Sequence, residues 1–389
     1  VGSDPVRLIA VAMTLTAVLF ACGQLLRGTG DRRDRAGFLA LFLGLYGLVK
    51  ADELLLLSGA YVAAPHLGGI VYPVRMLLAP AFYAYVRAMT APRPAGLRRS
   101  DCLAALGPLA FFALMSWFFF LPAQDKIGLV SLEYPDPELR DRAFLTCQLV
   151  FGVFLTVSVA YLAASLRRLA RHAETLRSLF SNIEDRSLSW LRTASFVLLA
   201  GWVWYTIGEV AAVSGWRPGW YDGVTAWLEF LWIGGIAFAA SGQPPAKAVA
   251  SPPPSEGRPY AKAELSAERM VRIARRMDAA MTAEALSNDP ALSLGALSDR
   301  TGVPQGQISQ TLSRHLGTNF FDYVNGRRIE EAQRRLRQTD ESVLEIAYGV
   351  GFNARSTFNA AFKRHTGQTP SAFRSRAAAR EHAAIQPAA

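Results

Sequence analysis

Cysteine is nearly absent from this chain of 389 residues, and the three present, Cys22, Cys102 and Cys147, lie far apart inside apolar runs. An odd, scattered set excludes a disulfide framework and a zinc site, and predicts inert thiols buried in apolar surroundings. Histidine is as sparse, with five residues spread along the sequence. There is no H-E-x-x-H pair, no phosphate-cradling Gly-Lys loop and no serine elbow, so metalloprotease, nucleotide-hydrolysing and acyl-transfer chemistries lack their residues. His172 stands in a basic segment with no Gly-rich nucleotide-binding stretch after it, which excludes a histidine kinase. No catalytic residue, metal site or cofactor is expected.

The chain has apolar bulk instead. Hydrophobic residues make up 51% and the mean hydropathy is positive, a surplus that is high for a protein in water. Apolar residues dominate up to Ser241 and thin out after it, so the two halves want different solvents. A helix needs about 20 apolar residues to cross a bilayer core, and about seven runs of that length precede Gln243. They are Pro5 to Leu26, Gly37 to Ser58, Gly69 to Ala91, Cys102 to Pro122, Phe144 to Leu166, Leu191 to Ser214 and Val224 to Ser241. Lys50, Asp52, Glu53 and Arg75 interrupt the second and third.

Lys and Arg are retained on the cytoplasmic side of such spans. The connection after the first run holds Arg27, Arg32, Arg33 and Arg35. The one after the third holds Arg93, Arg98 and Arg99, and the one after the fifth holds Arg167, Arg168, Arg171, Arg177 and Arg186. The intervening connections are poorer in cations, which predicts an N-terminus outside and a C-terminus inside, in the inner membrane of a bacterium. Leu19 to Cys22 loosely match a lipoprotein signal, but cleavage there would leave the first Arg cluster and the C-terminal half outside, so the run reads as a span.

Ionisable groups at membrane depth mark either a site or a buried pair. Counted along the helices, Asp52, Glu53, Arg75, Glu209 and Glu229 share the outer third of the bilayer. With Tyr72, Trp204, Tyr205 and Trp232 nearby in sequence, they form either an outward-open pocket for a small polar or cationic signal, or a set of interhelical ion pairs.

After Gln243 a stretch rich in Pro, Ala and Ser runs to Lys262 and reads as an extended linker. Ser266 then caps a helix in which Met270, Ile273, Met277 and Met281 recur at helical spacing. That stripe either packs on the domain that follows or pairs two copies.

The region from Leu294 to Arg376 repeats itself. Arg314, His315 and Gly317 recur fifty residues later as Arg364, His365 and Gly367. Ile308 and Leu312 correspond to Phe358 and Phe362, and Tyr323 to Phe373. Each unit reads as helix, tight turn, helix. In the first, Leu294, Leu297 and Ser298 precede a turn at Gly302 and Val303, and Pro304 opens the next helix. In the second, Ser342 and Glu345 form a capping box, Gly351 and Phe352 make the turn, and Asn353 caps a helix with Phe358 and Phe362 inward. Between the units, Phe320, Val324, Ile329, Ala332 and Leu336 line one face of a helix from Phe320 to Arg337. A rigid connector of this kind places two reading helices in successive major grooves, about 34 Å apart. The net charge of +10 suits contact with phosphate, whether of nucleic acid or of lipid headgroups.

Asn319-Phe-Phe-Asp-Tyr-Val-Asn-Gly-Arg-Arg-Ile-Glu-Glu-Ala332, Ile346-Ala-Tyr-Gly-Val-Gly-Phe-Asn-Ala-Arg-Ser-Thr-Phe-Asn-Ala-Ala-Phe-Lys363 and Thr366-Gly-Gln-Thr-Pro-Ser-Ala-Phe-Arg374 resemble the DNA-binding domain of the AraC family of bacterial regulators. The second unit fits best; Gly306 and the Gln-rich run around it depart from the pattern and weaken the first reading helix. The resemblance implies base contacts from Gln305, Gln307, Ser309 and Gln310 and from Asn353, Arg355, Ser356 and Asn359. It implies phosphate contacts from Arg314, Lys363, Arg364 and Arg374.

The resulting expectation is an all-α protein. It has a seven-span transmembrane helical bundle over 1–242, a linker over 243–263, a juxtamembrane helix over 264–289, an AraC-type double helix-turn-helix domain over 290–378 and a disordered tail over 379–389. Its partners would be double-stranded promoter DNA, the lipid bilayer, RNA polymerase, a second copy on DNA and an unknown small-molecule signal. The competing expectation is a membrane receptor or transporter-like protein whose C-terminal domain binds protein rather than DNA.

Overall fold

The computed structural model describes residues 4–27, 31–91, 98–131, 136–184, 186–241, 265–283 and 285–385. The linker expected over 243–263 lies outside them. Among the described residues the protein is all-helical, with one isolated antiparallel bridge between Phe180 and Ser293. It divides into two compact units, Val1–Ala170 with Leu188–Ala248, and Arg171–Ser187 with Val249–Ala389.

The first unit contains α1 (Pro5–Leu26), α2 (Asp31–Leu57), α3 (Ala60–Ala63), α4 (Tyr72–Arg75), α5 (Leu78–Thr90), α6 (Leu106–Phe119), α7 (Ala123–Ser131), most of α8 (Pro137–Leu179), α9 (Ser189–Val213) and α10 (Tyr221–Ser241). Asp4 caps α1 by accepting from the Val6 amide, and Pro5 occupies the first helical position, where its missing N–H costs nothing. α1 packs against α2 and α10, and α2 against α5. Val18, Leu39, Leu43, Phe82, Val86, Leu191 and Ile233 fill the centre.

Among the described residues, five stretches are long and apolar enough to cross a membrane: Pro5–Leu26, Pro65–Thr90, Arg99–Phe119, Pro137–Leu179 and Ser189–Val213. The other two expected runs lie in the helices α2 and α10; the first carries Lys50, Asp52 and Glu53, and the second carries Glu229. The third run is broken rather than continuous. Pro80 brings no N–H to the Met76 carbonyl, and the chain between α4 and α5 turns through shorter bonds, Met76 N to Pro73 O and Leu77 N to Val74 O. The fifth run extends further than expected. α8 is 43 residues long, about 64 Å, so Arg167, Arg168, Arg171 and Arg177 lie on a helix and not in a connection.

Large apolar side chains on the outer surface of this unit include Phe20, Leu109, Phe120, Leu145, Ile207, Val210, Leu231 and Phe238. Cys102 and Cys147 are also exposed there and Cys22 is half-buried, so the thiols are not the core residues expected. In a unit whose outside is apolar, an apolar run does not imply burial.

The second unit contains α11 (Ala267–Ala283), α12 (Leu294–Thr301), α13 (Gln305–Arg314), α14 (Phe320–Gln338), α15 (Val343–Gly349), α16 (Arg355–Thr366) and α17 (Pro370–Ile385). It has two cores. Ile273, Met277, Met281, Leu294, Leu297, Val303, Ile308, Leu312, Phe320 and Val324 form the first. Ile329, Ala332, Leu336, Ile346, Ala347, Val350, Phe352, Phe358, Ala361 and Phe362 form the second. α14 therefore gives its first half to one core and its second half to the other. The stripe on α11 is used internally, and Asp278 ties that helix to α14 by accepting from Tyr323 Oη at 2.6 Å and from Arg327. α17 continues to Ile385, beyond the point where a tail was expected, because the Ala-rich sequence from Ala377 to Ala384 favours helix.

Glycines punctuate both units. Gly302, Gly317 and Gly367 take left-handed backbone angles, and Gly351 has φ 96°. A Cβ on Gly351 would stand 2.7 Å from the Asn288 carbonyl oxygen, whereas one on Gly306 meets nothing within 4 Å. Replacing Gly351 by Ala is expected to cost at least roughly 2 kcal/mol from backbone strain and the clash, with lost amide protection across α15 and α16 in hydrogen-exchange mass spectrometry. The matching Gly306→Ala change is expected to stabilise α13 by about 0.5 kcal/mol, and weakened protection of α13 would contradict this.

Candidate nucleic-acid interface

Both helix-turn-helix units are built as the sequence predicts. In the first, Ser293 caps α12 by accepting from the Ala296 amide, and Gly302 ends it in the left-handed region. Ser298 Oγ donates to the Val303 carbonyl at 2.7 Å, closing the turn. Pro304 is the cap of α13 rather than its first residue. Ile308, Thr311 and Leu312 are buried, which turns Ser309 outward and leaves Gln305, Gln307 and Gln310 half-buried at the edges. Arg269 on α11 donates to Gln307 Oε1 at 3.4 Å. Gly306 sits in the first turn of α13, where its low helix propensity matters least, so a ten-residue helix forms despite it.

In the second unit the capping box is present: the Glu345 amide donates to Ser342 Oγ at 3.1 Å and the Ser342 amide donates to Glu345 Oε2 at 2.8 Å. These bonds hold the Glu345 carboxyl below its ordinary range. The turn closes through Phe352 N to Ala347 O. Asn353 is not the cap expected of it: Ala354 takes that position, without a side-chain bond, and α16 begins at Arg355. Asn353, Arg355 and Ser356 are exposed and Asn359 is half-buried, while Phe358 and Phe362 point into the core.

The expected phosphate contacts divide. Arg314, Lys363 and Arg364 occupy the last turns of α13 and α16 and are exposed, and Arg364 lies 3.4 Å from Asp322. Cations there also complement the carbonyl ends of the helices. Arg374 is instead half-buried and donates to the Glu341 carbonyl, with its Nε buried and unpaired.

Arg328 is a residue the sequence reading passed over. It is fully buried between the two cores, with its guanidinium carbon 5.5 Å from the Phe352 ring centre. Its Nε donates to the Ser287 carbonyl at 2.6 Å and Nη2 to the Asp289 carbonyl at 2.8 Å. Burial pulls it down to about 10, so it remains charged at neutral pH. The signal was present: Val324, Arg328, Ala332 and Leu336 follow one another at intervals of four, which places the arginine on the apolar face.

Of the charges expected to share a membrane pocket, the four carboxylates have ion-pair or hydrogen-bond partners. Glu53 and Glu229 both accept from Lys50, the first at 2.7 Å, and Glu53 also accepts from Arg7 at 2.8 Å. Asp52 accepts from Tyr61, and Glu209 lies 3.8 Å from Arg217. Arg75 stacks on Tyr72, 4.8 Å from the ring centre. A cleft of about 370 Å³ lies elsewhere, lined by Asp4, Val6, Trp220, Trp227, Leu228 and Leu231 among others. None of the five expected charges lines it.

A family model described as a helix-turn-helix domain matches residues 297–376. The chain is 36% identical over 87 residues to the HTH-type transcriptional activator RhaS of Pectobacterium carotovorum subsp. carotovorum, covering 22% of this chain and 31% of that protein. It is 37% identical over 83 residues to an uncharacterized HTH-type transcriptional regulator of Staphylococcus aureus (strain COL), covering 21% of this chain and 11% of that one. These matches thus span a third or less of the relatives' own lengths. A solved protein of unknown function from Listeria innocua shares 27% identity, covering 26% of this chain and 95% of that one, with a TM-score of 0.24.

Because Arg374 spends its guanidinium internally, Arg374→Ala is expected to lower the stability of the second core by about 1 kcal/mol. Lys363→Ala is expected to change it by no more than about 0.5 kcal/mol. Hydrogen exchange across α15 to α17 in the full chain measures both, and equal effects would contradict the division.

Proposed function

Starting from the AraC-type helix-turn-helix domain that the C-terminal residues form, we propose that this protein is a membrane-embedded one-component transcription regulator. Its bundle responds to a signal, and α13 and α16 read promoter DNA on the cytoplasmic side. The observation that carries the reading is the pairing of two short helices, each buried on one side by Ile308 and Leu312 or Phe358 and Phe362, each with polar side chains outward, and both joined by α14.

The second reading helix supplies the stronger base chemistry. Arg355 pairs with guanine through two parallel N–H bonds, and Asn353 and Asn359 suit adenine. Gln305, Gln307, Ser309 and Gln310 suit adenine or water-mediated contacts in the adjacent groove. Arg314, Lys363 and Arg364 hold phosphate and set the register. A homodimer on DNA and contact with RNA polymerase complete the regulatory assembly.

The membrane part of the proposal rests on the outer surface of the first unit. At most 39% of the most apolar window of any of the five long apolar stretches is buried within the protein. Side chains such as Phe120 and Phe238 are then costly in water and favourable in lipid. α2 and α10 cross beside these five as charge-bearing spans in which Lys50 and Arg7 neutralise Glu53 and Glu229, and the exposed Trp216 and Trp220 suit the outer interface. The Asp52, Glu53, Arg75, Glu209 and Glu229 set then acts as interhelical pairing around which the bundle repacks when a small-molecule signal binds.

The test is binding of labelled duplexes to the full chain in lipid nanodiscs across a salt series. Affinity is expected to fall steeply with salt, and Arg355→Ala to cost about 1–3 kcal/mol for the preferred sequence. Lys363→Ala is expected to reduce the salt slope by about one. Absence of duplex binding at low salt, or a C-terminal tag labelled from the periplasm, would overturn the reading.

A further inference from the structure

The segment Arg171–Ser187 belongs by packing to the second unit, although it lies more than sixty residues before the rest of that unit in the sequence. Phe180 forms the bridge to Ser293, and the Ser181 amide and hydroxyl both donate to the Leu292 carbonyl, at 3.1 and 2.8 Å. Ser181 Oγ in turn accepts from Arg328 Nη2 at 3.0 Å, and Asn182 Oδ1 accepts from Arg328 Nη1 at 3.2 Å. Asn182 Nδ2 donates to the Pro290 carbonyl at 2.7 Å and to the Gly351 carbonyl at 3.1 Å. Pro290 leads into the first helix-turn-helix unit and Gly351 is the turn of the second. One amide side chain therefore spans both, at the point where the buried Arg328 separates the two cores.

We propose that Ser181 and Asn182 are a brace that holds the two reading units in one relative placement, and that α8 is the lever that sets or releases it. Leu179 ends α8 and directly precedes Phe180, so a shift or rotation of α8 reaches the brace through a continuous helix. The helix extends past the expected span end at Leu166 by 13 residues, about 20 Å. The braced arrangement leaves Asn353, Arg355, Ser356 and Ser309 exposed, so it is the DNA-competent one. Withdrawal leaves Arg328 with fewer acceptors and uncouples Gly351 from Pro290. This builds on the DNA-reading proposal and adds the route by which the first unit controls it.

The test uses the full chain in nanodiscs, with Cys22, Cys102 and Cys147 replaced by alanine and spin labels at Ser313→Cys and Ala360→Cys, on the exposed sides of α13 and α16. A single narrow distance peak is expected for the parent. Asn182→Ala, which loses all three bonds of that side chain, is expected to broaden or split it. Asn182→Asp, which retains an acceptor for Arg328 but loses the donor to Pro290 and Gly351, is expected to do so as well. In the same preparations, binding to a duplex selected by the parent chain should weaken about tenfold, while low-salt binding to a random duplex persists. Parent-like distances and affinity in both variants would overturn the brace. If the parent binds no duplex yet its distance peak broadens on Asn182→Ala, the brace stands and DNA reading fails.

Discussion

The second unit depends on one helix serving two cores. α14 buries Phe320 and Val324 with the first helix-turn-helix unit, and Ile329, Ala332 and Leu336 with the second. The helix joins the two units, and the contacts at its middle then set how one is placed relative to the other. The weak point of such a design is the middle, where the apolar faces change partner and the chain has backbone carbonyls to satisfy. Arg328 fills that point, and its five donors have no single carboxylate partner. They are distributed over carbonyl and amide oxygens from separate segments. A buried guanidinium bound only to neutral oxygens is easily left short of acceptors, and loss of one is costly.

The helix-turn-helix units were legible because they obey local rules. The recurrence of Arg-His-x-Gly, the capping box at Ser342 and Glu345, and the turn glycines each act over a few residues, and the structure realises them. Errors arose where tertiary packing decides. Arg374 has the composition of a phosphate contact, but the Glu341 carbonyl lies within its reach. Asn353 has the composition of a cap, but α16 starts one residue later than that role requires. Ser181 and Asn182 carried no signal at all, since their partners lie more than a hundred residues away in sequence. Arg328 stood on the apolar stripe and could have been identified by spacing alone.

In the first unit, counting along helices gave no signal of which cations the ionisable residues pair with. Lys50 had the look of an interruption in an apolar run, and Arg7 carried no signal as a partner. Both are the counter-ions of Glu53 and Glu229. Three helices, α1, α2 and α10, meet through these charges, and they are also helices that pack on one another. An ion-pair cluster of this kind resists small displacements and has few alternative arrangements, because each carboxylate would lose its counter-ion in a shifted packing.

The two reading units are not equivalent, and the difference lies in what backs each helix. α16 rests on a chain of aromatic rings, Phe352, Phe358, Phe362 and Phe373, with successive centres 5.4 to 5.6 Å apart. Such rings have few torsions and pack in defined orientations, so the helix they support presents Arg355 from a fixed base. α13 rests on Ile308 and Leu312, against the flexible methionines of α11, and its outer face is amide and hydroxyl without a cation in the first turn. Methionine accommodates small shifts of its neighbours. The second reading helix therefore has the more rigid support and the first the more adaptable one.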